Sequence, residues 1–165
     1  GDSLLQMAEA EATSQFLGIE VHRPGVGRLL AQTLTAKVDN LRVYAEDAVD
    51  VLTRCLAPDS VDAFHVFFPD PWHKKKHHKR RLIQTDLVSQ LSERLRPGGY
   101  VHLATDWEPY VEHMFDVLEA EPTLLNTHGP RVAVSRPDYR PLTKFEARGE
   151  RLGRGVWDLM YHRQR

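Results

Sequence analysis

At 165 residues, with 41% hydrophobic and 27% charged side chains, the chain has room for one domain with a real core and holds no apolar run near the roughly 18 residues of a membrane span. A net charge of −1 excludes a uniformly basic nucleic-acid binder, and Cys55, the single cysteine, excludes an internal disulfide. With no signal peptide opening the sequence, these features predict one domain over residues 1–165 that works in the cytoplasm.

Helical and strand patterns alternate along the chain. "SLLQMAEAEA" (3–12) reads as a helix and "FLGIEV" (16–21) as a strand. "PGVGRLLAQTLTAKV" (24–38) is a helix with proline in its first turn and Leu29, Leu30 and Leu34 on one face. Its "GVG" (25–27) does not follow a strand with dinucleotide-binding spacing and marks a helix start. "LRVYA" (41–45) is a strand, "AVDVLTRCL" (48–56) a helix, and "VDAFHVFF" (61–68), rich in Val and Phe, a buried strand. "RRLIQTDLVSQLSERL" (80–95) reads as a helix stopped by "RPGG". Then come a strand in "YVHLAT" (100–105), a helix in "EPYVEHMFDVLEAE" (108–121) and a last strand in "GVWDLMYHR" (155–163). The alternation predicts an α/β fold with a doubly wound, mostly parallel sheet. Such sheets normally open on a strand and a glycine-rich turn. This sequence opens on a helix, so the reading is of an N-terminally incomplete unit lacking that first strand and loop.

Charge is unevenly spread. Within "FFPDPWHKKKHHKRRL" (67–82), residues 73–81 carry six cations and no acid; removing those six from the 22 Lys and Arg leaves 16 against 23 acids. This asymmetry points to a local polyanion site on a body that otherwise repels polyanions. Glu20, Asp47, Asp70 and Asp106 each end or follow a predicted strand. In a parallel sheet these ends share the edge where open α/β folds bind ligands, so the four acids would line one crevice. Singly, each could equally be the N-cap of the next helix. Asp70 differs, because Pro69 and Pro71 bias Phe68 and Asp70 toward extended conformations on a stiffened loop. Glu20 suits a pair of ribose hydroxyls and Asp47 the exocyclic amine of adenine, which together suit an adenosine-type cofactor. His73 and His77 are four apart, yet surrounding lysines repel a cation and no Cys or acid completes a ligand set, so no metal site is expected. Trp72 could stack on a base or pack as a lid on the core.

At "FFPDPWHKKKHHKRRL" and "ATDWEPYVEHM" the sequence resembles the bacterial tRNA (guanine-N7-)-methyltransferases; "GIEVHRPGVG" and "RPLTKFEARGERLGRGVWDLM" match further signatures of that family. The resemblance implies a class I, Rossmann-like fold dependent on S-adenosylmethionine and a tRNA partner. By it, Glu20 and Asp47 match cofactor-contacting acids, and Asp70 matches the active-site acid, also placed near the cofactor. Lys74, Asp106, Thr143, Lys144, Phe145 and Glu146 match substrate-contacting positions. Lys76, His77, His78, Lys79, Arg80 and Arg81 match the RNA-contacting segment. The family's upstream strand and loop, roughly "LEIGxGxG", would have only Gly1 here as its last glycine.

The resemblance thus implies methyl transfer to N7 of a guanine in the tRNA variable loop; the sequence leaves the oligomeric state open, with a monomer favoured. Asp106 or Glu146 would read the guanine edge, and Asp70 would orient cofactor and base. Two other readings stay open: a non-catalytic tRNA-binding fragment of such an enzyme, and an α/β enzyme acting on a phosphorylated small molecule, although no phosphate-cradling glycine loop precedes a helix.

Overall fold

Helices and strands alternate in the predicted order through a computed structural model that describes residues 1–143, 146–147 and 155–165. The elements are α1 (Asp2–Ala10), β1 (Phe16–Ile19), α2 (Arg23–Ala36), β2 (Leu41–Tyr44), α3 (Ala48–Cys55), β3 (Val61–Phe67), a 3-10 helix (Lys75–Arg80), α4 (Thr85–Arg94), β4 (Leu95–Thr105), α5 (Glu108–Ala120), β5 (Leu124–Leu125) and β6 (Trp157–Arg163). They fall into two compact units, Gly1–Cys55 with Pro137–Lys144, and Leu56–Arg136 with Phe145–Arg165. Among the described residues no helix is long and apolar enough to cross a membrane.

In the first unit β1 and β2 pair in parallel, Phe16 opposite Leu41 and Ile19 opposite Tyr44. Leu5 and Ala8 of α1 and Leu29 of α2 bury themselves with Leu41. The helix lies close to the strand at Gly18, where a Cβ would sit 2.6 Å from a Leu4 methyl. The buried Asn40 amide lies within 3.0 Å of the carbonyls of Ala8, Glu11 and Ser14, so a side chain ends α1 and starts β2 together. The expected Leu29–Leu30–Leu34 face is corrected: α2 buries Val26, Leu29 and Thr33, while Leu30 and Leu34 are exposed. Spacings of three and four residues keep a narrow stripe on the core, and Thr33 fits it because its hydroxyl donates to the Leu29 carbonyl at 2.8 Å.

In the second unit the strand order is β3-β4-β6-β5, with β3 parallel to β4 and the remaining pairs antiparallel. The "RPGG" signal does not precede β4; it lies inside it. Val61 faces Leu95 and Ala63 faces Tyr100, so residues 96–99 form an excursion from one strand. Gly98 takes φ +82°, and a Cβ on Gly99 would stand 2.7 Å from the Asp62 carbonyl, which is why both are glycine. The short β5, unseen in the sequence, exists only through its pairing with β6. The predicted helix over 80–95 begins at Thr85 instead, for a tertiary reason. Ile83 gives its N–H to the Tyr110 hydroxyl (3.1 Å) and its carbonyl takes a hydrogen bond from His113 Nε2 (2.7 Å), so the segment is extended.

Candidate active site

Glu20 and Asp47 follow β1 and β2 of the first unit. The parallel ladder runs on to Glu20, whose N–H donates to the Tyr44 carbonyl at 3.0 Å, so both acids lie at one edge of that strand pair. Both are exposed. Glu20 Oε1 accepts the His22 N–H at 2.8 Å, and Asp47 Oδ1 accepts the Val49 N–H at 2.8 Å. Asp47 is therefore the N-cap of α3. A carboxylate has about four lone-pair sites, so one backbone hydrogen bond leaves each acid with acceptor capacity. That chemistry fits ribose hydroxyls and an adenine amine.

Asp70 and Asp106 follow the parallel strands β3 and β4 of the second unit, and so share the corresponding edge there; both are exposed. The chain leaves β3 with the Phe68 N–H donating to the Ala104 carbonyl at 2.8 Å. It then turns through two left-handed residues that are not glycine, Phe68 at φ +53° and Trp72 at φ +45°. For Phe68 this departs from the extended conformation expected before proline: Pro69 disfavours the right-handed helical region, and the residue reverses through positive φ. Bulky residues there cost on the order of 1–2 kcal/mol each, so the loop must be held from outside.

Three sets of contacts hold it. Asp70 Oδ1 accepts the Trp72 N–H at 2.9 Å. The Trp72 ring stacks on His77 at 5.8 Å, with the Arg80 guanidinium 5.1 Å from its centroid. His73 meets Trp107 edge-on at 4.3 Å. Trp107 precedes α5, and its N–H donates to the buried Thr105 hydroxyl at 3.3 Å. From the far side, Arg81 Nε donates to the Pro71 carbonyl at 2.8 Å while its guanidinium lies 4.7 Å from the Tyr110 ring.

Tyr110 is fully buried beneath this loop. Burial raises its hydroxyl pKa above the ordinary value; the Ile83 N–H and the Arg81 guanidinium pull it down, and the Asp70 carboxylate adds to the rise. The phenol stays neutral, free to accept from Ile83. Burial lowers the Arg81 pKa and the charge interaction with the Tyr110 hydroxyl group opposes that; the guanidinium remains a cation at any physiological pH.

The basic segment thus divides. Lys74, Lys75, Lys76, Lys79 and Arg80 are exposed on or beside the 3-10 helix, and His77 and His78 are half-buried. Arg81, the last of the segment matched to RNA contact, is 4% exposed, and its guanidinium is engaged with Pro71 and Tyr110. Thr143 is half-buried in the first unit and Glu146 buried in the second; Lys144 and Phe145 lie outside the described residues. Among the described residues no three His, Cys, Asp or Glu side chains are grouped to hold a metal ion.

Residues 1–159 match the family described as "Putative methyltransferase". The chain is 56% identical over 164 residues to a tRNA (guanine-N(7)-)-methyltransferase of Thiobacillus denitrificans, spanning 99% of this chain and 71% of that one. It is 53% identical over 163 residues to the protein of the same name from Pseudomonas putida, spanning 99% and 68%. The chain belongs to the tRNA (guanine-N(7)-)-methyltransferase family. The methyltransferase also shares its fold with a SAM-dependent O-methyltransferase from Thermotoga maritima, at TM-score 0.55, 12% identity and coverage of 92% of this chain and 50% of that one. Its α/β architecture is that of the Rossmann-like class I enzymes.

Sequence reasoning missed two parts of this methyltransferase's loop, Tyr110 and the inward face of Arg81. One signal was present: Tyr110 and His113 are three apart in a predicted helix, hence on one face.

Proposed function

We propose that the protein transfers a methyl group from S-adenosylmethionine to N7 of a guanine in the variable loop of tRNA. The observation that carries this reading is the loop bearing Asp70, locked at a strand edge directly before five exposed cations. Bound S-adenosylmethionine supplies an electrophilic methyl group on a sulfonium. Glu20 is assigned to the ribose hydroxyls and Asp47 to the adenine amine, each with the acceptor capacity its single backbone hydrogen bond leaves.

Guanine N7 carries a lone pair, so its attack needs no base to deprotonate it. The residues' task is alignment, and positioning of this kind can lower a barrier by about 7 kcal/mol or more. Asp70, oriented by its hydrogen bond from Trp72, is assigned to hold cofactor and base in line and to offset the positive charge that reaches the purine. Of the two acids considered for the guanine edge, Asp106 is the exposed one; its carboxylate can accept from N1–H and the exocyclic amine. Lys74, Thr143, Lys144, Phe145 and Glu146 belong to the same substrate group. Lys76, Lys79 and Arg80 are assigned to phosphates, with His77 and His78 beside them, and binding should weaken as salt rises. The reading assigns the protein to the cytoplasm, a compartment where a tRNA substrate is available.

Labelled methyl transfer to an unmodified tRNA transcript, compared with one whose variable-loop guanine is 7-deazaguanine, tests the reading. Transfer to the first alone is expected; equal transfer to both would overturn the N7 assignment.

A further inference from the structure

Arg81 closes a run of six cations, yet it is the one turned inward. A cation placed to meet phosphate should be exposed, as its five companions are. Arg81 is 4% exposed, its Nε donates to the Pro71 carbonyl, and its guanidinium lies 4.7 Å from the Tyr110 ring centroid. Its Nη2 is buried with no hydrogen-bond partner among the described residues. A buried charged donor left unpaired costs stability, so stability alone is a poor reason for arginine here. Geometry is a better one. Pro71 lies between Asp70 and the left-handed Trp72, where the loop is most strained, and a planar guanidinium can stack on a ring and donate in its own plane at once, which an ammonium cannot. Tyr110 in turn accepts the Ile83 N–H, so one phenol links the segment leaving Arg81 to the loop carrying Asp70.

We propose that Arg81 is a positioning residue, a strut from α5 to the Pro71 carbonyl that fixes the Asp70 loop for methyl transfer and does not contact tRNA. This rests on the methyltransferase reading above. Since Arg81 acts through Asp70, its loss strikes turnover and leaves RNA affinity.

Arg81→Gln and Arg81→Lys are compared with Lys79→Ala in the full chain, with three readouts: amide hydrogen exchange at Trp72, the kcat and KM for tRNA, and the salt dependence of tRNA binding. Arg81→Gln is expected to speed exchange at Trp72 and lower kcat by about tenfold or more each, the scale of one charged hydrogen bond. The KM and salt slope should stay within about twofold. Lys, which can donate but not stack, should recover only part of the loss. Lys79→Ala should do the reverse, lowering the salt slope by about one and raising the KM for tRNA, with exchange at Trp72 unchanged. A lowered salt slope in Arg81→Gln with kcat and exchange unchanged would overturn the proposal, as would faster exchange with kcat intact. Should Arg81→Gln fail to fold, Arg81→Lys decides by the same readouts. If the wild-type protein transfers no methyl group, the methyltransferase reading falls. Trp72 exchange then still decides whether Arg81 holds the loop: unchanged exchange overturns the strut, and faster exchange upholds it.

Discussion

Asp47 and Asp70 both follow parallel strands, and each accepts a backbone N–H from two residues on, at 2.8 and 2.9 Å. Their settings have little else in common. Asp47 caps α3, so a purely local rule puts it where it is. Asp70 starts no helix; its loop turns through left-handed Phe68 and Trp72 and is held by Arg81, His77, Arg80 and Trp107. The first acid sits where the chain needs one for its own folding. The second is maintained against local preference by distant residues, the pattern expected where geometry at a reacting centre matters.

The sharpest way to break this comparison is to remove each carboxylate. Asp70→Ala should lower kcat by about 10²–10³-fold, the scale of a lost preorganised electrostatic contact, with tRNA affinity unchanged. Asp47→Ala should weaken cofactor binding and cost about 1 kcal/mol of stability through the lost cap, lowering Tm by about 2–4 °C. Single-turnover methyl transfer and thermal melts separate the two. Equal loss of tRNA binding in Asp70→Ala would mean that its loop grips RNA and does not align the reaction.

Next in size is the charged surface beside the loop. Replacing Lys76, Lys79 and Arg80 together by Ala should lower the salt slope of tRNA binding by about two to three, since each phosphate contact contributes about 0.7–0.9. An unchanged slope would put the phosphates elsewhere. A smaller effect is expected from Tyr110→Phe, which leaves the buried Ile83 N–H without its acceptor. The cost should be about 2 kcal/mol, read as a lower Tm and faster exchange at Ile83, with little change in the salt slope.

How far the sequence could be read follows the same division. Asp47, the α2 start at "RPGVG" and the helix over "EPYVEHMFDVLEAE" obey rules that span a few residues, and they were legible as elements and their order. Non-local pairing was less so: β5 owes its existence to β6, and the extended segment before α4 to Tyr110 and His113. At the candidate site, the acids and the basic run showed by residue type and spacing. The inward turn of Arg81 did not, because composition makes all six cations alike and only the packing of Pro71 and Tyr110 against one of them sets it apart.

The smallest predicted effect sets β3 and β4 of the second unit against β1 and β2 of the first. His65 on β3 lies next to Phe67, Tyr100 and His102; its Nε2 is 3.1 Å from the Tyr100 hydroxyl. Burial, and then the nearby His102, lower its pKa from 6.5 to about 4. The folded protein therefore refuses a proton that the unfolded chain accepts between those values. Stability is full above the unfolded value, falls as the pH drops toward about 4, and levels off below it. Amide exchange followed through that pH window should show β3 and β4 loosening with acid by more than β1 and β2 do. His65→Gln should flatten the difference, and a window that survives the substitution would assign the acid sensitivity to another group.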